Sequence, residues 1–221
     1  LRLFYVPREK ADEPQDDVDA NWTLCTPETA APFSAVAYFF GRDLQKALDV
    51  PVGVIHTSWG GSPAEVWTKR SVLKSHEELQ PILTSYESAR ERYEEQMENY
   101  RKRAAEAKEA GERAPRQPRA PWQPSELYNG MIHPLLPYAI KGAIWYQGES
   151  NATRAEQYRV LFPAMIENWR DDWKLGNFTF LCVQLAAFIG IPGGPPTNSG
   201  PELLEAQWLA TQELPNVGMV V

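Results

Sequence analysis

The sequence predicts an α/β fold built on a doubly wound, mostly parallel sheet, and three observations carry that prediction. Short apolar runs at 51–56, 140–146, 178–184 and 217–221 read as strands covered on both faces rather than on one. The first two end abruptly in polar, glycine-bearing loops. Helix-spaced segments at 33–48 and 154–173 lie between runs, so strand, polar loop and helix alternate along the chain.

Taken in order, residues 1–6 suit a strand and the acidic, proline-bearing stretch 7–20 suits an exposed loop. Pro27 and Pro32 bracket a turn. Val36, Phe39, Phe40, Leu44 and Leu48 then recur at helical spacing with Ser34 placed to cap them, which predicts an amphipathic helix packed on the sheet. In the highly charged stretch 75–110, Leu79, Tyr86, Tyr93, Tyr100 and Ala107 recur at every seventh position, which predicts a long helix. Glu98 and Lys102 are an (i, i+4) pair, and Gly111 with Pro115, Pro118 and Pro121 ends the segment. Residues 75–121 are therefore expected to form a helical insertion within one domain spanning 1–221. It reads either as a solvated helix packed through one stripe or as a partner-binding coiled coil.

A length of 221 residues with 43% hydrophobic content suffices for one packed core, and no run reaches the roughly 18 apolar residues of a membrane helix. A formal charge of −7 argues against a nucleic-acid partner, because phosphate binding leaves a basic footprint. Eight Trp and nine Tyr supply flat faces that suit sugar rings, although such residues also fill cores. Cys25 and Cys182 are too few for a disulfide scaffold or a zinc ribbon and are expected to be buried thiols. The opening residues read as a strand with no leader before it, so the natural N-terminus is expected to lie upstream.

In open α/β sheets ligands gather beyond the carboxyl ends of strands, which directs attention to two loops. Gln147-Gly148-Glu149-Ser150-Asn151 sets amide and carboxylate groups around a glycine; the same string would also serve as a turn capping the next helix. Ser58-Trp59-Gly60-Gly61-Ser62 offers backbone N–H groups unshielded by side chains, a source of an oxyanion donor, or else a tight turn.

Read together, the strings are more specific. The segment Pro51-Val-Gly-Val-Ile-His-Thr-Ser-Trp-Gly-Gly-Ser-Pro-Ala-Glu-Val-Trp67 resembles the second conserved block of the sialate O-acetylesterases. The run Leu127-Tyr-Asn-Gly-Met-Ile-His-Pro-Leu-Leu-Pro-Tyr-Ala-Ile-Lys-Gly-Ala-Ile-Trp-Tyr-Gln-Gly-Glu-Ser-Asn-Ala152 resembles the third, followed by Gln157-Tyr-Arg and Phe162-Pro. Cys25-Thr-Pro-Glu-Thr and Phe33-Ser-Ala-Val-Ala-Tyr-Phe-Phe-Gly-Arg42 match as well, so the resemblance covers most of the chain outside the helical insertion.

The resemblance implies an SGNH hydrolase, a flavodoxin-like three-layer α/β/α sandwich that removes acetyl esters from sugars through a serine, with no metal and no organic cofactor. It maps the oxyanion asparagine to Asn151 and the oxyanion glycine to Gly60 or Gly61. Glu149 becomes a partner for the catalytic histidine, a sugar-hydroxyl acceptor or a structural carboxylate, and Gln147, Gly148, Trp59, Asn129 and His133 become substrate contacts. The implied partner is an O-acetylated sugar, sialic acid or another plant or host glycan, and not nucleic acid or membrane. The implied location is extracytoplasmic. Asn21, Asn151 and Asn177 open sequons, although the second overlaps the expected site.

Two family blocks are absent. No Gly-Gln-Ser-Asn-like nucleophile string occurs, and none of His56, His76 and His133 lies in an Asp-x-x-His string. Ser150 lacks the surroundings of a nucleophile elbow. The nucleophile and base are thus expected outside these residues and the chain alone is expected to be inactive. The competing class is a non-catalytic carbohydrate-binding domain on the same scaffold; a related peptidase or lipase finds no support in the third-block string.

Overall fold

The computed structural model describes residues 1–186 and 200–221. Strand β1 (Arg2–Tyr5) pairs parallel with β3 (Gly53–His56) and, on its other side, antiparallel with β2 (Trp22–Leu24). Between them run the short helix α1 (Pro27–Ala30) and α2 (Ala35–Leu48), the latter capped as expected by Ser34 accepting from the Ala37 N–H at 3.3 Å. The second half places β4 (Gly142–Trp145), β5 (Thr179–Val183) and β6 (Val217–Val220) side by side and parallel, with α5 (Ala155–Trp173) and α6 (Pro201–Glu213) as connections.

The expectation of one continuous sheet is corrected here. Among the described residues the strands form two three-stranded sheets, ordered β2-β1-β3 and β4-β5-β6, so β3 and β4 are not paired. The side chains nevertheless share sides. Phe4, Ile55, Ala143, Trp145, Phe180 and Cys182 belong to the main core, and Trp145 lies against Phe162, Trp169 and Phe180 with ring centroids 5.7–6.4 Å apart. Leu3 and Val54 form a second, smaller cluster with Phe33 and Ala37, and Ile144 of β4 packs against it. The alternation of side chains along β1 and β3 thus turns one face toward the main core and the other toward the cluster at α2.

After the short helix α3 (Arg70–Ser75), the predicted long helix is α4 (Gln80–Glu109), uninterrupted by any strand. Its root is fixed in the core by Leu79 and Ile82, while Tyr86, Tyr93, Tyr100 and Ala107 form its half-buried stripe. Lys102 meets Glu98 at 2.7 Å, and Gly111 in the left-handed region ends the helix. Strand β2, only three residues long, and α6, without a clean apolar stripe, were not foreseen. Cys182 is buried as expected, with burial pushing its thiol up to about 11, whereas Cys25 is only half-buried.

Candidate active site

Strand β4 delivers Gln147 and Gly148 into the loop above it. Gly148 has φ +149°, a conformation open to glycine, and a Cβ there would come within 2.9 Å of Leu185. The backbone then turns through a 3-10 segment, Glu149–Arg154, which aims its side chains at the loop that follows β3. Ser150 Oγ donates to the Gly61 carbonyl at 2.9 Å, and Gln147 Nε2 donates to the Ser62 carbonyl at 3.2 Å and to Asn151 Oδ1 at 2.7 Å. Asn151 Oδ1 also accepts from the Ala64 N–H at 2.9 Å, while its Nδ2 donates to Glu65 Oε2 at 2.8 Å. The other Glu65 oxygen receives Arg154 Nη2 at 2.6 Å.

Deeper in, Tyr158 donates to Gln147 Oε1 at 3.2 Å and Gln207 Nε2 donates to the Gln147 carbonyl at 3.0 Å. Tyr158 is fully buried, and burial pushes its phenol pKa up, so it stays a donor at ordinary pH. Such a network is rigid because each member would be left unsatisfied in low dielectric if its neighbour moved.

Of the residues singled out in the sequence, Gly60, Gly61, Gln147, Gly148 and Asn151 come together at this junction. A Cβ on Gly60 or Gly61 would meet nothing within 4 Å, so their backbone faces open space. Asn151 is only 1% exposed, and its amide is held inside by Glu65 rather than pointing outward as an oxyanion donor would. Glu149 is exposed on the lip and makes no side-chain hydrogen bond among the described residues. Trp59 lies edge-to-face with Trp122 at 5.5 Å, with the Arg8 guanidinium 5.8 Å from its ring.

Asn129 Nδ2 donates to the carbonyls of Ala11 and Asp12, and His133 Nδ1 lies 2.9 Å from the Gln15 carbonyl, so both pin the 11–15 segment. Gly130 belongs to the same clamp, since a Cβ there would sit 2.5 Å from the Glu9 carbonyl. The Asn151 sequon is closed by burial.

Glu65 and Arg154 carry no site signal in the sequence, and His56 lies outside any Asp-x-x-His string there. Glu65 and Arg154 are ordinary surface residue types in the string, and only the fold buries their pairing. His56, at the end of β3, lies 2.7 Å from Ser58 Oγ through Nε2 and sits edge-on between Tyr5 and Phe33, while its Nδ1 is buried with no partner among the described residues. Burial, and then the nearby Arg8 charge, lowers its pKa, which keeps the imidazole neutral. No cluster of three or more His, Cys, Asp or Glu side chains suited to a metal occurs among the described residues.

Residues 117–221 match the family described as carbohydrate esterase, sialic acid-specific acetylesterase. The sialate O-acetylesterase of Mus musculus is 33% identical over 205 residues, covering 86% of this chain and 37% of the relative. That of Rattus norvegicus is 34% identical over 217 residues, covering 86% and 38%. The chain is thus similar to sialate O-acetylesterases along most of its length. Its fold is also similar to the crystal structure of a carbohydrate acetylesterase from Xanthomonas citri, with a TM-score of 0.71 at 32% identity over 100% of this chain and 41% of that one. The chain spans about two fifths of the length of these sialate O-acetylesterases. The joined loops are thus a feature of a sialate O-acetylesterase-like chain, read at the place where the third-block string ends.

Proposed function

We propose that this chain is the part of a carbohydrate O-acetylesterase that builds the ester-facing wall of the active site. The observation that supports this most is the locked junction of the 58–62 and 147–151 loops, which leaves the Gly60 and Gly61 backbone open beside a rigid polar network. In this reading a serine outside these residues attacks the acetyl carbonyl while a histidine, also outside, takes its proton. The carbonyl oxygen becomes an oxyanion received by the glycine N–H groups. Collapse expels the sugar hydroxyl, which leaves with that proton, and water then releases acetate from the acetyl-serine and restores the hydroxyl. Asn151 acts here as a positioning residue for the glycine loop, through Ala64 and Glu65. The substrate class, O-acetylated sugars, and an extracytoplasmic setting follow the family.

A second reading is favoured by the 2.7 Å contact between His56 and Ser58, which resembles a base and a nucleophile within the chain. The partnerless Nδ1 weighs against it, because no group orients the imidazole. Hydrolysis of 4-nitrophenyl acetate and labelling by a fluorophosphonate separate the two. The 221-residue chain should do neither, and an enzyme extended to the length of its relatives should do both. Labelling of the short chain at Ser58 would establish the second reading, and an inert extended enzyme would leave a sugar-binding module.

A further inference from the structure

The geometry points to a saccharide subsite between the root of α4 and the Glu65–Arg154 pair, one that takes a pyranose unit adjoining the acetylated sugar; this rests on the reading above. A cavity of about 340 Å³ lies there, with Ile82, Tyr86 and Trp122 as its apolar walls and Glu65, Arg154 and Gln157 as its polar ones. Its size falls in the roughly 300–1,000 Å³ range of small-molecule sites. A pyranose is amphipathic, with a C–H face that stacks on an aromatic ring and a rim of hydroxyls that needs donors and acceptors, and this cavity offers both kinds of surface.

The groups are held in place before any ligand arrives. Tyr86 donates to Gln123 Oε1 at 2.9 Å, and Trp122 is held by Trp59 at 5.5 Å and by the Lys10 ammonium at 4.2 Å. Arg154 is oriented by Gln157 Oε1 at 2.8 Å and Glu65 Oε1 at 2.6 Å, and with its side chain 37% exposed the rest of its N–H fork can reach sugar hydroxyls. Both walls lead to the loop junction: Glu65 bonds Asn151 directly, and Trp122 touches Trp59, the neighbour of Gly60. A sugar seated here would lie against residues that bond or touch the loop junction. The helical segment with no role in the sheet thereby becomes the wall that selects the glycan. A larger cavity, about 760 Å³, opens at the amino ends of β1 and β3, on the opposite side from these loops.

Calorimetric titration of the 221-residue chain with sialyllactose and with free N-acetylneuraminic acid tests this without requiring hydrolysis. The trisaccharide should bind about tenfold or more tightly than the monosaccharide. Ala89→Trp, which fills the cavity from the helix, should erase that difference while leaving the monosaccharide affinity and the Tm unchanged. Ser85→Trp, at an exposed position on the same wall, should do likewise and serves if the first variant is destabilised. Equal affinity for the two sugars, no binding of either, or a preference that survives both variants would overturn the subsite. The esterase reading stands or falls separately, on the acetate-release assay.

Discussion

At the scale of single residues, Asn151 shows how an amide can be fixed by what it bridges. It accepts from Ala64 and Gln147 and donates to Glu65, so Asn151→Ala would leave an N–H and a buried carboxylate short of partners. A loss of about 2–4 kcal/mol is expected, read from urea unfolding. Asn151→Asp keeps the shape but turns the donor facing Glu65 into a second carboxylate, and should be at least as destabilising; wild-type stability in that variant would show that the pairing contributes nothing. His56 gives a pH-dependent case. Its folded pKa lies below the ordinary imidazole value, so the unfolded chain takes up the proton more readily. Its contribution to stability is therefore present above about pH 6.5 and is lost as pH falls through the lowered folded value. The urea midpoint should drop on going from neutral to acidic pH, with a shallower slope in His56→Gln, and an NMR titration of His56 should give a midpoint below 6.5. The loop glycines and Gln147 were legible because their types and positions after a strand carry the signal. Glu65 and Arg154 were not, since a buried carboxylate with its guanidinium reads as surface until tertiary contacts enclose it.

Among the elements, α4 was legible from a seven-residue repeat because period alone marks a long helix, whatever it packs on. The repeat does not say that only the first turn enters the core. Ile82→Ala, at 5% exposure, should cost about 2–4 kcal/mol, whereas Lys102→Ala, in an exposed pair with Glu98, should leave the urea midpoint unchanged. Equal effects in chemical denaturation would mean that the helix is stabilised along its length rather than from its root. Strand β2 was hidden because three residues are too few to display alternation. Its pairing with β1 is a tertiary event. A motif string records which residues recur together and not the bonds they make, so it leaves out that Asn129 and His133 hold the 11–15 segment.

For the whole molecule, the alternation of strand, loop and helix predicted the α/β class and the parallel order of β4, β5 and β6, because crossover connections impose it. It could not reveal that the strands divide into two sheets, since hydrogen-bond partners at long range leave no mark in local composition. That division has a consequence for handling. Among the described residues β3 and β4 are each laddered on one side only. A row of backbone donors and acceptors without a neighbouring strand is a template for another chain. Concentrated solutions of the 221-residue chain should therefore self-associate through strand addition, seen as growth in light scattering with concentration and as amide exchange in 53–56 and 142–145 that slows when association is complete. Proline placed at Ile55 or Ile144 would be expected to blunt it, making colloidal behaviour a direct report on an open hydrogen-bond ladder.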